Sequence, residues 1–195
     1  MIRKMQKNDD VLKTAELIYG TDVFIFPFLF GKKEKAIWKL SKLVSLENNG
    51  FSYNRILVDS DGDIIRGILI ESDQKHNRLE TRDFLKTFGF WSLVRLFFGQ
   101  VLLFPILSHK QNGGRYIQNV SVDPRFRGLG IGTALVKAAI ARAEAEKATH
   151  LVLDVSRKNE GALKLYKKLG FAIVKKRRIW GLFFVTYLMK KSLRV

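Results

Sequence analysis

The stretch Val120-Ser121-Val122-Asp123-Pro124-Arg125-Phe126-Arg127-Gly128-Leu129-Gly130-Ile131-Gly132-Thr133-Ala134-Leu135 runs from a β-rich segment through a glycine-rich turn into a helical pattern. A glycine turn lets the backbone come close to a ligand. The first amides of the following helix lack intrahelical acceptors, so they point at whatever negative group docks there. Phosphate is the natural guest. The spacing excludes the two commonest phosphate loops. A Walker loop ends in Gly-Lys-Ser/Thr, whereas Gly132 is followed by Thr133 and Ala134, with no lysine to reach outer phosphates. A dinucleotide fingerprint needs Gly-x-Gly-x-x-Gly, and counting from Gly128 or Gly130 puts Thr133 or Leu135 where the third glycine should be.

What remains is Arg127-x-x-Gly130-x-Gly132, and a second segment gives it a partner. After the helix the chain reads Leu151-Val152-Leu153-Asp154-Val155-Ser156-Arg157-Lys158-Asn159-Glu160-Gly161-Ala162-Leu163-Lys164-Leu165-Tyr166-Lys167-Lys168-Leu169-Gly170-Phe171. That is a strand, an Asn-led turn, and a helix with a central tyrosine and a closing Gly-Phe. Together and in this order, the two segments resemble the GNAT superfamily, the Gcn5-related N-acetyltransferases that use acetyl-coenzyme A. The resemblance covers roughly residues 50 to 190. It implies an α/β fold with a mixed, mostly antiparallel central sheet flanked by helices.

The elements read from the residues agree with that order. Asp9 or Asp10 caps a helix over Val11 to Ile18 that Gly20 ends, and Lys32 to Glu47 carries an apolar stripe between lysines. Between them lies the aromatic run Val23 to Gly31, where Pro27 argues against a regular helix. Arg55 to Asp59 and Ile64 to Glu71 flank a hairpin turn, and Tyr116 to Val122 is the next strand. Helix Gly130 to Glu146, strand Thr149 to Val155, helix Asn159 to Leu169, and strands Phe171 to Arg177 and Leu182 to Lys190 follow. At 195 residues the expectation is a single domain, 1–195, with a helical insertion rich in Phe and Leu over 72–114. The charge-free run between Arg95 and His109 is shorter than the about 20 residues a spanning helix needs, and Pro105 interrupts it. Three roles stand for the insertion: completing the core or a dimer contact, lying on a membrane surface, or lining the acceptor pocket.

The chain has no cysteine, so it has neither a disulfide framework nor a thiol nucleophile, and its three histidines lack ligand spacing, so no metal is expected. The amino terminus has charge without an apolar core, which argues against a secretory signal and makes the cytoplasm the expected compartment. The net charge of +17 is spread along the chain. Such a field favours polyanions, and compositional bias, anionic lipid and RNA are its three explanations.

Acetyl transfer from a thioester to an amine needs a held donor, a neutral amine, a stabilised oxyanion and a proton for the departing thiolate. The resemblance places the coenzyme arm against the main chain of Val120 and Val122. It places the pyrophosphate on the amides from Arg127 through Gly128 and Gly130 to Gly132, with Thr133 behind them. Asn159 then hydrogen-bonds the arm or caps its helix, and Tyr166, two turns further along, is the general acid. Asp154 is the base or amine anchor, or else a structural carboxylate. Relatives often carry the longer glutamate at that place, so an aspartate calls for a water relay. Glu71 and ordered water are its rivals as base. With no acyl-enzyme nucleophile, transfer is direct, to a primary amine of a small molecule or a peptide amino terminus. A non-catalytic acyl-CoA-binding or membrane-surface protein is the alternative.

Overall fold

The structure is a computed structural model. It describes residues 1–22, 25–73, 83, 87–89, 93–94, 97–98, 114–179 and 184–193. Within these, seven strands form one sheet: β1 (Ile2–Lys4), β2 (Ile56–Asp61), β3 (Ile64–Asp73), β4 (Gly114–Val122), β5 (His150–Ser156), β6 (Ala172–Ile179) and β7 (Phe184–Ser192). Their order is β1-β2-β3-β4-β5-β7-β6, and every neighbouring pair is antiparallel except β4 with β5. The helices are α1 (Val11–Tyr19), α2 (Ile25–Phe30), α3 (Lys33–Ser45), α4 (Ile131–Ala145) and α5 (Glu160–Lys168).

Alternating strand residues divide the interior into two cores, one on each side of the sheet. Ile56, Val58, Ile68 and Ile70 meet α1, α2 and α3 on one face. Leu57, Leu69, Leu151, Leu153 and Met189 meet α4 and α5 on the other. Asp10 caps α1 by accepting from the Lys13 amide at 2.8 Å, and Gly20 ends it. The buried stripe of α4 is Ile131, Leu135, Val136, Ala139 and Ala143. It sits so close to β3 that a Cβ on Gly67 would lie 2.9 Å from Ile131 and 3.2 Å from Leu135.

Three expectations need correcting. The aromatic run contains helix α2 despite Pro27, because the proline falls in the first turn, where an amide has no intrahelical acceptor to lose. Strand β1 was not foreseen, since three residues are too few to show a period. Ser72 and Asp73 pair with Tyr116 and Arg115, so the flanking strands extend to the edges of the expected 72–114 insertion. Most of that insertion lies outside the described residues. Of those described, Phe88 is buried 5.8 Å from the Phe30 ring, whereas Phe97 and Phe98 are exposed. Among the described residues no helix is long and apolar enough to cross a membrane.

Candidate active site

The central feature is a place where the sheet comes apart. Strands β4 and β5 pair in parallel from Gly114/His150 only as far as Ile117/Leu153. On its other side β4 continues against β3 to Val122, but the register slips, with Ile70 opposite Asn119 and Glu71 opposite Ile117. Gln118 is therefore the extra residue of a bulge. A bulge bends its strand and interrupts pairing, and this one sits one residue past the last β4–β5 pair. Beyond it, the edge of β4 from 118 to 122 has no ladder partner in β5, and a gap opens.

The glycine turn lies at the end of that gap. Asp123 accepts from the Arg125 amide and pairs with Lys13 of α1 at 2.7 Å, fixing the chain as it leaves β4; these partners hold its carboxyl well below the usual range. Gly128 and Gly130 then take φ of 82° and 77°, the left-handed region open to glycine. Gly130 is the N-cap of α4 and has no side chain to cap it. The first-turn amides, those of Ile131, Gly132 and Thr133, consequently keep their anion-binding capacity. A Cβ on Gly132 would lie 3.6 Å from Val122 and 3.8 Å from Leu165, so the start of α4 is set between β4 and α5. Arg127, expected to add charge to the turn, donates Nε to the Val122 carbonyl at 3.3 Å.

Helix α5 closes the α4 side of the gap. Asn159 caps it, accepting from the Ala162 amide at 3.1 Å, so the capping role of this residue is the one observed. Tyr166 is buried, with its ring edge-on to Phe171 at 5.9 Å. Its hydroxyl has no hydrogen-bond partner among the described residues. Burial pushes the phenol up to about 12, so it is a proton donor at neutral pH.

Asp154 belongs to the opposite face. Its neighbours Leu153 and Val155 lie in the α4–α5 core, and its own side chain points toward the α1–α3 side. There Arg177 Nη1 lies 3.5 Å from Oδ2, and the Tyr116 hydroxyl donates to the same oxygen at 3.4 Å. Both ion-pair partners are buried. Burial and the Asp154 charge push the Tyr116 phenol far above its usual range, and Tyr166 adds a smaller push in the same direction. The two phenols thus approach the gap from opposite faces of the sheet.

Sequence reasoning missed Tyr116 and Arg177. Arg177 stands in the run Lys175-Lys176-Arg177-Arg178, which reads as a solvated charged stretch, yet it alone of the four is buried. Glu71, the rival base, is elsewhere. It is buried between Arg142 at 2.7 Å and Arg115 at 3.5 Å, and desolvation raises its carboxyl against the pull of both. Arg142 is ten residues past Gly132, about 15 Å along α4 from the glycine turn.

Residues 89–171, which include the glycine turn, β5 and α5, match the Acetyltransferase (GNAT) family. Over this segment the chain is similar to the GNAT family. An uncharacterised N-acetyltransferase of Methanocaldococcus jannaschii is 47% identical over 55 residues, 28% of this chain and 24% of that protein. An N-alpha-acetyltransferase of Sulfurisphaera tokodaii is 43% identical over 61 residues, 31% of this chain and 36% of that one. The matched stretch thus spans about a quarter to a third of these relatives. A crystal structure of an acetyltransferase superposes with a TM-score of 0.73 at 25% identity, with 100% of each chain covered.

Proposed function

We propose that this protein is an acetyl-CoA-dependent N-acetyltransferase that moves the acetyl group directly onto a primary amine of a small molecule or a peptide amino terminus. The observation that carries the reading is the gap beyond Ile117/Leu153, with an uncapped helix start at its end and a buried phenol on its wall. Those parts suit the donor. The amides at the start of α4 would take the pyrophosphate, and the vacant edge of β4 at Val120 and Val122 would take the amide groups of the pantetheine arm. Arg127 would add charge from the rim. Asn159 would meet the arm through its remaining amide donors, and Thr133 would flank the phosphate.

In the reaction, a neutral amine attacks the thioester carbon and the carbonyl pair moves to oxygen. The tetrahedral intermediate then collapses with cleavage of the C–S bond. Tyr166 would donate its proton to the leaving thiolate; a phenol far more basic than a thiol can do so because the thiolate forms beside it. Asp154 would anchor or deprotonate the amine. The N-alpha-acetyltransferase among the relatives makes a peptide amino terminus the acceptor to try first.

The test is thermal unfolding with and without acetyl-CoA, followed by thiol release with alanyl-, methionyl- and lysyl-peptides and small amines. Donor stabilisation with amine-dependent thiol release is expected. Stabilisation with no responsive amine would favour a non-catalytic acyl-CoA-binding protein, and no stabilisation at all would remove the assignment.

A further inference from the structure

Asp154 has both a phenol and a guanidinium as neighbours. Its Oδ2 is occupied by the Tyr116 hydroxyl and the Arg177 guanidinium, and both ion-pair partners are buried. Tyr116 lies on β4 one residue before the last β4–β5 pair and two before the bulge at Gln118, where the strands separate. A phenol that gives its hydrogen to a carboxylate still has lone pairs to accept another. A contact of 3.4 Å is long for O–H···O, as such contacts commonly are before substrate draws them together.

We propose that Tyr116 is a second catalytic phenol, which accepts the proton of the attacking amine while passing its own to Asp154, with Arg177 as the positioning residue that holds the Asp154 carboxylate in place. The proposal rests on the N-acetyltransferase reading above. As nitrogen bonds to the thioester carbon, one N–H proton moves to the Tyr116 oxygen and the Tyr116 hydrogen moves to Asp154 Oδ2. Tyr116 is neutral before and after. The C–S bond then breaks, the thiolate takes the Tyr166 proton, and Asp154 and Tyr166 return to their starting states by exchange with water. Burial forbids a lasting phenolate at Tyr116, and a relay never requires one. The short side chain of Asp154 is thereby bridged by a residue rather than by water.

The assay is thiol release from acetyl-CoA with the fastest peptide of the alanyl, methionyl and lysyl set. Tyr116→Phe should lower kcat by at least about tenfold with acceptor KM and donor stabilisation little changed, since the lost group acts in proton transfer. Because the two groups act in series, Tyr116→Phe with Asp154→Asn should be no slower than the slower single variant. Arg177→Met should lower kcat and Arg177→Lys should restore much of it. In H2O/D2O mixtures the unaltered protein should give a curved proton inventory, the mark of two protons in flight. Full kcat in Tyr116→Phe, multiplied losses in the double variant, or a linear inventory in the unaltered protein would each overturn the relay and leave the N-acetyltransferase reading standing. Thiol release with neither the peptides nor the small amines would take both down.

Discussion

Tyr166 shows what a single residue contributes. Its ring is held against Phe171, so replacing the phenol by a phenyl ring leaves the packing in place and removes only the proton. Tyr166→Phe should therefore lower kcat by about 10- to 100-fold with acetyl-CoA stabilisation retained, measured by thiol release and thermal unfolding. The same residue has a signature in stability. Unfolded, its phenol ionises near 10.0; folded, burial holds the proton until about 12. The folded state binds more protons across that window, so stability is full below pH 10 and falls as pH rises toward 12. Tyr116 is pushed the same way, so urea midpoints should decline more gently in Tyr166→Phe on this alkaline limb without becoming flat.

Tyr166 was legible because a helix keeps its register: two turns from Asn159 place both residues on one side. Tyr116 was not. Counting by twos back from Val122 and Val120 puts Tyr116 on the valine face. The bulge at Gln118 inserts one residue and turns Tyr116 to the other face, where Asp154 waits. No local residue pattern announces a bulge of this kind, because its cause is the pairing of two distant strands.

At the scale of elements, the glycine turn and its helix form one unit. A Cβ on Gly130 would meet nothing within 4 Å, so Gly130→Ala adds no collision. Its cost is the positive φ, roughly 1 kcal/mol, and any relaxation of that strain displaces the first amides of α4. The expected outcome is a modest fall in Tm with a larger loss of acetyl-CoA stabilisation. At the other end of α4, Glu71 ties the helix to the sheet through Arg142 and Arg115. Glu71→Gln would leave Arg142 and Arg115 sharing only the more exposed Glu146 as counter-charge, and urea unfolding should show a loss of about 2 kcal/mol. Donor stabilisation should persist, because the glycine turn is a helix length away.

For the molecule as a whole, the two motifs carried the architecture. Their order made a mixed sheet with helices on both faces legible, as did the caps at Asp10 and Asn159 and the stop at Gly170. What stayed hidden was the three-residue β1, whose ladder partner β2 is remote in sequence, and the tolerance of Pro27 inside α2. The net charge of +17 acts at this scale too. A field of that sign attracts the phosphates of acetyl-CoA and is screened by salt. Between about 50 and 300 mM NaCl, acetyl-CoA KM should rise severalfold with kcat nearly constant, because screening weakens capture and leaves chemistry untouched.

The single extra residue at Gln118 acts as a doorstop. Two strand edges face each other in mid-sheet, and edges left open tend to zip together. Without the bulge, β4 and β5 could continue pairing past Ile117/Leu153, and the sheet would close over the slot in which the donor would lie. Deleting Gln118 should then give a chain that melts at a higher temperature and no longer responds to acetyl-CoA. On that view the protein gives up some stability to keep the strands apart, and the proposed coenzyme would stand in for the length of strand that β5 does not supply.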